Sequence, residues 1–337
     1  MQTNDLHFEY PAELVATERK KNSRVMWVDQ GERPREISPQ AVLNEMRPED
    51  TLVVNTTKVI PARVFSASGL EILFIEELSA NQWRVLCPAR KWPKREALVL
   101  PGDIRLELVE RGLPQVVQAS AKIDSDYFEN YGDWPLPPYI QEARGERKSR
   151  SADSEMYQTD WAKDLGSLAA PTASFHFSKE DLKKVAGRGA SVCEITLHVG
   201  LGTFLPIHSE SLVDHKMHFE HVEVPAPTWE QVQKTRSQGG RVWALGSTVT
   251  RALESRALGL LQDTESGAAG PTDLFIRPGF EFRCVDVLMT NFHQPKTTLL
   301  AMVMAFAGIE PVRKGYGWAV DRKFRLFSYG DLSVWTK

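Results

Sequence analysis

The chain has 337 residues, 42% of them hydrophobic and 25% charged, with a formal net charge of −3. That is enough chain for two domains with sizeable cores, and the slightly negative balance excludes a uniformly basic nucleic-acid binder while permitting local cationic patches. The three cysteines, Cys87, Cys193 and Cys284, lie far apart with no Cys-x-x-Cys pair, which argues against a disulfide framework or a cysteine zinc site and for a reducing compartment.

The opening stretch, MQTNDLHFEYPAELVATERK, has no basic start followed by an apolar core, and the longest oily run, TTLLAMVMAFAG, is too short to span a bilayer. A cytoplasmic protein with no membrane partner is therefore expected. SPQAVLNEMRPED reads as a helix starting at the N-cap Ser38, feeding the apolar strand TLVVN. From about Pro61 to Ile123 come short alternating segments, RVFSA, LEILFIEEL, QWRVLCPA, ALVLPGDIRLELVE and QVVQASAKI, separated by turn signals. Such spacing predicts a small all-β barrel or sandwich. Within it, ARKWPKR places Trp92 among Arg90, Lys91, Lys94 and Arg95; an aromatic amid cations can stack a base while its neighbours neutralise phosphate. These five are the candidate RNA contacts.

Beyond Pro138 the charged stretch QEARGERKSRSADSE reads as a linker or loop. Strand and helix patterns then alternate. SKEDLKKVAGRG is a helix capped by Ser178, followed by the strand VCEITLHVG; TWEQVQKTRSQGG opens with a Thr228–Gln231 capping box. After it come the strand RVWALG, the helix TVTRALESRAL, the strands TDLFI and CVDVLMTNF, the helix TTLLAMVMAFAG and the strand RLFSYGDLSVW. The economical architecture is an α/β domain, residues 1–60 and 139–337, with a layered mixed sheet and helices on both faces, interrupted by an inserted β-barrel domain over 61–138.

Five of the eight histidines fall between Leu197 and His221: His198, His208, His215, His218 and His221. The His215-x-x-His218-x-x-His221 spacing could put imidazoles on one helical face for zinc. There is no His-Glu-x-x-His, however, and a strand would throw His215 and His218 to opposite faces. Acid–base or substrate-binding work is the better reading, with no metal expected. LHVGLGTF, which carries His198 and Thr203, is a lone Gly-x-Gly and on its own a tight turn. In ALGSTVTRALES a helix begins near Ser247 or Thr248, with Arg251 one turn in, presenting free backbone N–H groups to an anion. MTNFHQPKTTLL sets Asn291 and His293 just past the carboxyl end of an apolar strand, where ligands bind in open α/β sheets. RLFSYGDL offers Tyr329 and Asp331, and YQTDWAKDLGSLAAPTASFHFS brings Tyr157, Gln158, Thr172 and His176. Polar groups bordering oily elements this often form the pattern of a composite active site.

Taken together, VVNTTKVIPAR, PLPPYI, YQTDWAKDLGSLAAPTASFHFS, TLHVGLGTFLPI, HKMHFEH, GGRVWALGSTVTRALES, TDLFIRPGFEF, TNFHQPKTTLLAMVMAFAG and RLFSYGD resemble the S-adenosylmethionine:tRNA ribosyltransferase-isomerase family of queuosine biosynthesis. The motifs run in the family's order from about residue 52 to 331. The resemblance implies an α/β domain carrying a β-barrel, and transfer of the ribosyl group of S-adenosylmethionine, a co-substrate and not a resident cofactor, to 7-aminomethyl-7-deazaguanine at the tRNA wobble position. Epoxyqueuosine-tRNA, adenine and methionine would be the products. With that chemistry His215, His218 and His176 become the candidate catalytic groups, and Tyr157, Gln158, Thr172, His198, Thr203, Ser247, Thr248, Arg251, Asn291, His293, Tyr329 and Asp331 the candidate substrate contacts. Where relatives have Gly-Leu before the His-Phe pair this chain has Ser174-Phe175, and it has Met156 where Arg is usual. A monomer is expected. Two alternatives stand beside this reading: a zinc-dependent hydrolase built on His215, His218 and His221, and a non-catalytic tRNA-binding relative.

Overall fold

The computed structural model describes residues 1–20, 22–88, 90, 92, 97–200, 202, 207 and 209–337. Contacts divide the chain into two compact units, Met1–Lys58 with Gln158–Asp164 and Ala170–Lys337, and Val59–Tyr157 with Leu165–Ala169. In chain order the elements begin with β1 (Val25–Val28), β2 (Arg35–Ile37), α1 (Pro39–Asn44), β3 (Thr51–Asn55) and β4 (Thr57–Val59). There follow β5 (Arg63–Phe65), β6 (Glu71–Ser79), β7 (Gln82–Leu86), β8 (Leu98–Val99), β9 (Arg105–Glu110), β10 (Gln115–Ala119), α2 (Ser125–Tyr131), α3 (Pro138–Arg144) and α4 (Asp153–Met156). Next are β11 (Asp164–Ser167), α5 (Lys179–Gly187), β12 (Ser191–Leu197), β13 (Glu220–Pro225), α6 (Ala226–Ser237), β14 (Val242–Leu245) and α7 (Ser247–Ala257). The chain closes with β15 (Gln262–Thr264), β16 (Gly267–Thr272), β17 (Val287–Asn291), α8 (Thr298–Ala307), α9 (Ile309–Asp321) and β18 (Leu332–Thr336).

The first unit is built on a mixed sheet in the order β15-β16-β13-β12-β3-β14-β17-β18-β1-β2. Its centre, β12-β3-β14-β17, is parallel. The central runs TLVVN, VWAL and VLMTN are buried at every position, as strands covered on both faces must be. On one face Trp27, Leu52, Val54, Trp243, Leu245, Met289 and Val334 pack with Val42 and Leu43 of α1 and Val185 of α5. Met26 and Trp335 alternate with these along their strands and so point to the opposite face. There α9 comes so close that a methyl group placed on Gly315 would lie 2.8 Å from the Trp335 ring. The second unit holds an antiparallel sheet, β5-β6-β7-β10-β9-β8, curled into a half-barrel. Its core is an edge-to-face cluster in which Phe74 lies 5.5 Å from Trp83 and 5.4 Å from Phe128 of α2.

Ser38 accepts from Ala41 N–H at the head of α1, and Ser178 with Asp181 forms a capping box on α5. Three local expectations are corrected. Thr228 lies inside α6, which starts at Ala226 after Pro225, and its hydroxyl donates to Glu194 O at 2.7 Å instead of capping the helix. TDLFI is not a strand, since β16 ends at Thr272. The charged stretch after Pro138 is a loop only in its middle: α3 closes on Gly145 in the left-handed region (φ 66°), α4 begins at Asp153, and Arg144 binds Asp153 through two hydrogen bonds of 2.7 and 3.0 Å. Those two side chains are 2% and 0% exposed, so apparently surface charges form an internal pair. Among the described residues no helix is long and apolar enough to cross a membrane.

Candidate active site

The parallel strands end on one edge of the large sheet, at Asn55 of β3, Leu197 of β12, Leu245 of β14 and Asn291 of β17. Carboxyl ends of this kind are where open α/β sheets bind ligands. Asn55 ties two of them together. Its amide donates to Leu197 O at 3.0 Å and accepts from Leu197 N–H and Thr57 N–H, each at 3.1 Å. His198 therefore leaves β12 in a set direction, with Nδ1 2.7 Å from Thr57 Oγ1 and its backbone N–H on His221 O at 3.0 Å. Burial lowers the His198 pKa, and His221 pushes the same way. Asn55 escaped the sequence reading; the available signal was an asparagine closing an otherwise apolar buried run.

A second cluster gathers around Asn291. The turn Thr172–His176 brings Thr172 Oγ1 to Asn291 Oδ1 at 2.7 Å, which turns the amide nitrogen toward His176 Nε2, 3.4 Å away. Three residues picked out separately in the sequence thus form one chain of contacts. Burial drives the His176 pKa down to about 3, helped by the positive charges of Arg19 and Arg325. Arg19 donates to Phe175 O at 2.6 Å, and its guanidinium lies 5.1 Å from the Phe175 ring. On that ring's other neighbour, Tyr329, the stacking distance is 5.9 Å. His293 is likewise driven to about 3 by burial, with Nε2 on Thr290 Oγ1 at 2.8 Å and its backbone N–H on Tyr316 Oη at 3.1 Å. Asp331 accepts from the backbone N–H groups of Arg24 at 2.9 Å and Arg325 at 2.8 Å. It holds the 325–331 loop rather than facing a ligand, and burial raises its pKa.

The amino end of α7 meets the same turn. Gly246 precedes the helix at φ 107°, and a methyl group there would lie 3.5 Å from Thr248 Oγ1 and 3.9 Å from Ala173 Cβ. Ser247 and Thr248 are half-buried on the first turn, and Thr248 Oγ1 has no hydrogen-bond partner among the described residues. Arg251 is not open to a substrate as expected: it is 6% exposed and paired with Glu220. Glu220 also accepts from Gly200 N–H at 3.0 Å. Both its oxygens are engaged, and it ties Gly200 to α7.

His215, His218 and His221 do not share a helical face. His215 follows the short turn Leu212–Asp214, with its ring 5.4 Å edge-on from Phe275. His218 packs toward Gly202, where an added methyl would lie 3.6 Å from its Cβ. His221 is exposed on β13. Gln158 is half-buried in the larger unit, while Tyr157 is 1% exposed in the smaller one. Thr203, Lys91, Lys94 and Arg95 lie outside the described residues. Arg90 is exposed, whereas Trp92 is only 5% exposed; the tryptophan is a packing residue, with no face presented for a base to stack on.

Residues 3–334 match the model of a family described as queuosine biosynthesis protein. Similar proteins named S-adenosylmethionine:tRNA ribosyltransferase-isomerase include one from Sulfurihydrogenibium sp., 38% identical over 99% of each chain. Others are from Geobacter sulfurreducens, 39% identical, and Citrifermentans bemidjiense, 40% identical, each over 98% of both chains. A crystal structure of S-adenosylmethionine tRNA ribosyltransferase from Thermotoga maritima is similar across 98% of this chain and 99% of that one, with a TM-score of 0.55 and 30% identity.

Proposed function

We propose, since the chain belongs to the queuosine biosynthesis protein family, that it transfers and isomerises the ribosyl moiety of S-adenosylmethionine onto 7-aminomethyl-7-deazaguanine at the wobble position of tRNA. Epoxyqueuosine-tRNA forms, and adenine and methionine leave. The observation that carries this reading is the Thr172–Asn291–His176 chain at the carboxyl edge of the sheet, in a chain that its relatives match from end to end.

The sulfonium acidifies the ribose C5′–H, so a positioned base can form an ylide that helps to expel adenine. The amine of the modified base then adds, and ring closure to the epoxide releases methionine. This sequence needs a base and a group that protonates departing adenine, and as written it calls on no metal or redox cofactor. With a pKa near 3, His176 is a neutral, weakly basic imidazole at pH 7, far from the value that makes proton transfer efficient. Its Nε2 faces the Asn291 amide, which leaves Nδ1–H as a hydrogen-bond donor to substrate. We assign proton transfer instead to His215 or His218, which lie between the turn Leu212–Asp214 and β13.

We assign tRNA phosphate contacts to the cations of ARKWPKR, in a protein acting as a cytoplasmic monomer. Replacing Arg90, Lys91, Lys94 and Arg95 together is expected to weaken tRNA binding and flatten its salt dependence; unchanged affinity across several salt concentrations removes this patch. For the reaction itself, the test is incubation with S-adenosylmethionine and tRNA carrying the aminomethyl-deazaguanine. Adenine, methionine and an epoxyqueuosine nucleoside should appear together. Formation of S-adenosylhomocysteine would mean methyl transfer and would end this reading.

A further inference from the structure

Arg19 and Arg325 are partly buried, yet among the described residues neither forms an ion pair. Their guanidinium bonds go to backbone carbonyls: Arg19 Nη2 to Phe175 O at 2.6 Å, and Arg325 Nη2 to Glu18 O. Glu18 precedes Arg19 and Phe175 precedes His176, so Arg325 is tied to the backbone next to Arg19, and Arg19 in turn to the backbone next to His176. The Phe175–Tyr329 stack, at 5.9 Å, forms an aromatic wall there. Asp160, Asp331 and Glu18 act on these arginines through space only, and Asp331 has its oxygens on backbone N–H groups. Two partly buried guanidiniums without a bonded carboxylate keep N–H donors and positive charge available to an incoming anion. A guanidinium fork matches a planar carboxylate in particular.

We infer that Arg19 and Arg325 form an oxyanion site that takes the α-carboxylate of the methionine part of S-adenosylmethionine, beside the Thr172–His176 turn. The site lies among partly buried side chains, which suits a small planar group better than a bulky phosphodiester backbone. Both cations also act on His176, which places them within electrostatic reach of the Asn291 cluster. The inference rests on the function proposed above and names the group that anchors its co-substrate.

The test is equilibrium binding of S-adenosylmethionine and of its decarboxylated analogue to the wild-type protein and to Arg19→Gln, Arg325→Gln and the double variant, with Arg19→Lys and Arg325→Lys as charge-retaining controls. Wild-type protein should bind the analogue about tenfold or more weakly, the worth of a charge-assisted pair. Each Gln substitution should weaken S-adenosylmethionine by a similar factor while leaving the analogue unchanged, and the Lys variants should fall between. Equal wild-type affinity for the two ligands overturns the inference without needing any variant to fold. So does weakened tRNA binding with S-adenosylmethionine binding intact, which would make the anion a phosphate. Wild-type protein that binds neither ligand would overturn the functional reading along with the inference.

Discussion

His176 and His293 sit at the carboxyl edge of the large sheet with their rings held by neighbours, Asn291 in one case and Thr290 in the other. His215 and His218 occupy the stretch between the turn Leu212–Asp214 and β13, half-buried like the first pair. Burial penalises the imidazolium and leaves the first pair neutral hydrogen-bonding groups. Neutral rings at the sheet edge lend themselves to orientation, and the proposal above leaves proton transfer to the outer stretch. A histidine's role follows from its surroundings, which spacing along the chain does not reveal.

The largest effect should come from the outer pair. His215→Ala or His218→Ala is expected to cut single-turnover adenine release by about 10²–10⁴ while the protein stays folded; near wild-type rates for both would erase the proposed division of labour. Asn291→Ala comes next. Removing the amide that faces His176 should lower turnover by about 10- to 100-fold, the equivalent of roughly 1–3 kcal/mol for a stranded polar partner. A kinetic profile identical to wild type would show that the sheet-edge cluster only packs. Thr172→Val should lose about fivefold, from roughly 1 kcal/mol for one neutral hydrogen bond, and Thr172→Ser should restore it. Failure of the serine to rescue would mean that the methyl group, and not the hydroxyl, matters.

A stability measurement sharpens the same contrast without any assay. His176 and His293 stay neutral in the folded protein down to about pH 3, whereas an unfolded histidine takes up its proton near 6.5. Between those values the unfolded chain binds more protons, so stability is fully present above about pH 6.5 and falls as the pH drops toward 3. Urea midpoints at pH 7 and pH 5 should fall less steeply for His176→Gln and His293→Gln than for wild type. Equal slopes would show that these rings are charged in the folded protein.

Several elements are legible from local chemistry alone: the Ser38 and Ser178 caps, the central strands TLVVN and VWAL, and the alternating segments that become β5 to β10. Caps and apolar periods act within a few residues of chain, so they survive without knowledge of the fold. Thr228 failed as a cap because Pro225 begins the helix earlier and Glu194 O, on another strand, takes the hydroxyl. The stretch QEARGERKSRSADSE is a loop only between α3 and α4, because Arg144 and Asp153 at the facing ends of those helices compensate each other's burial.

By itself, then, the sequence determined the family, the alternation of strand and helix, and the polar residue types available for chemistry, all carried by short-range pattern. Tertiary structure decided which of those residues meet. Thr172, His176 and Asn291 are separated by up to 119 positions, and Glu220 claims Arg251 from 31 residues away. Such pairings depend on strand order and on which face a turn crosses. Neither is encoded in spacing, because they are set by how the whole sheet buries its apolar surface.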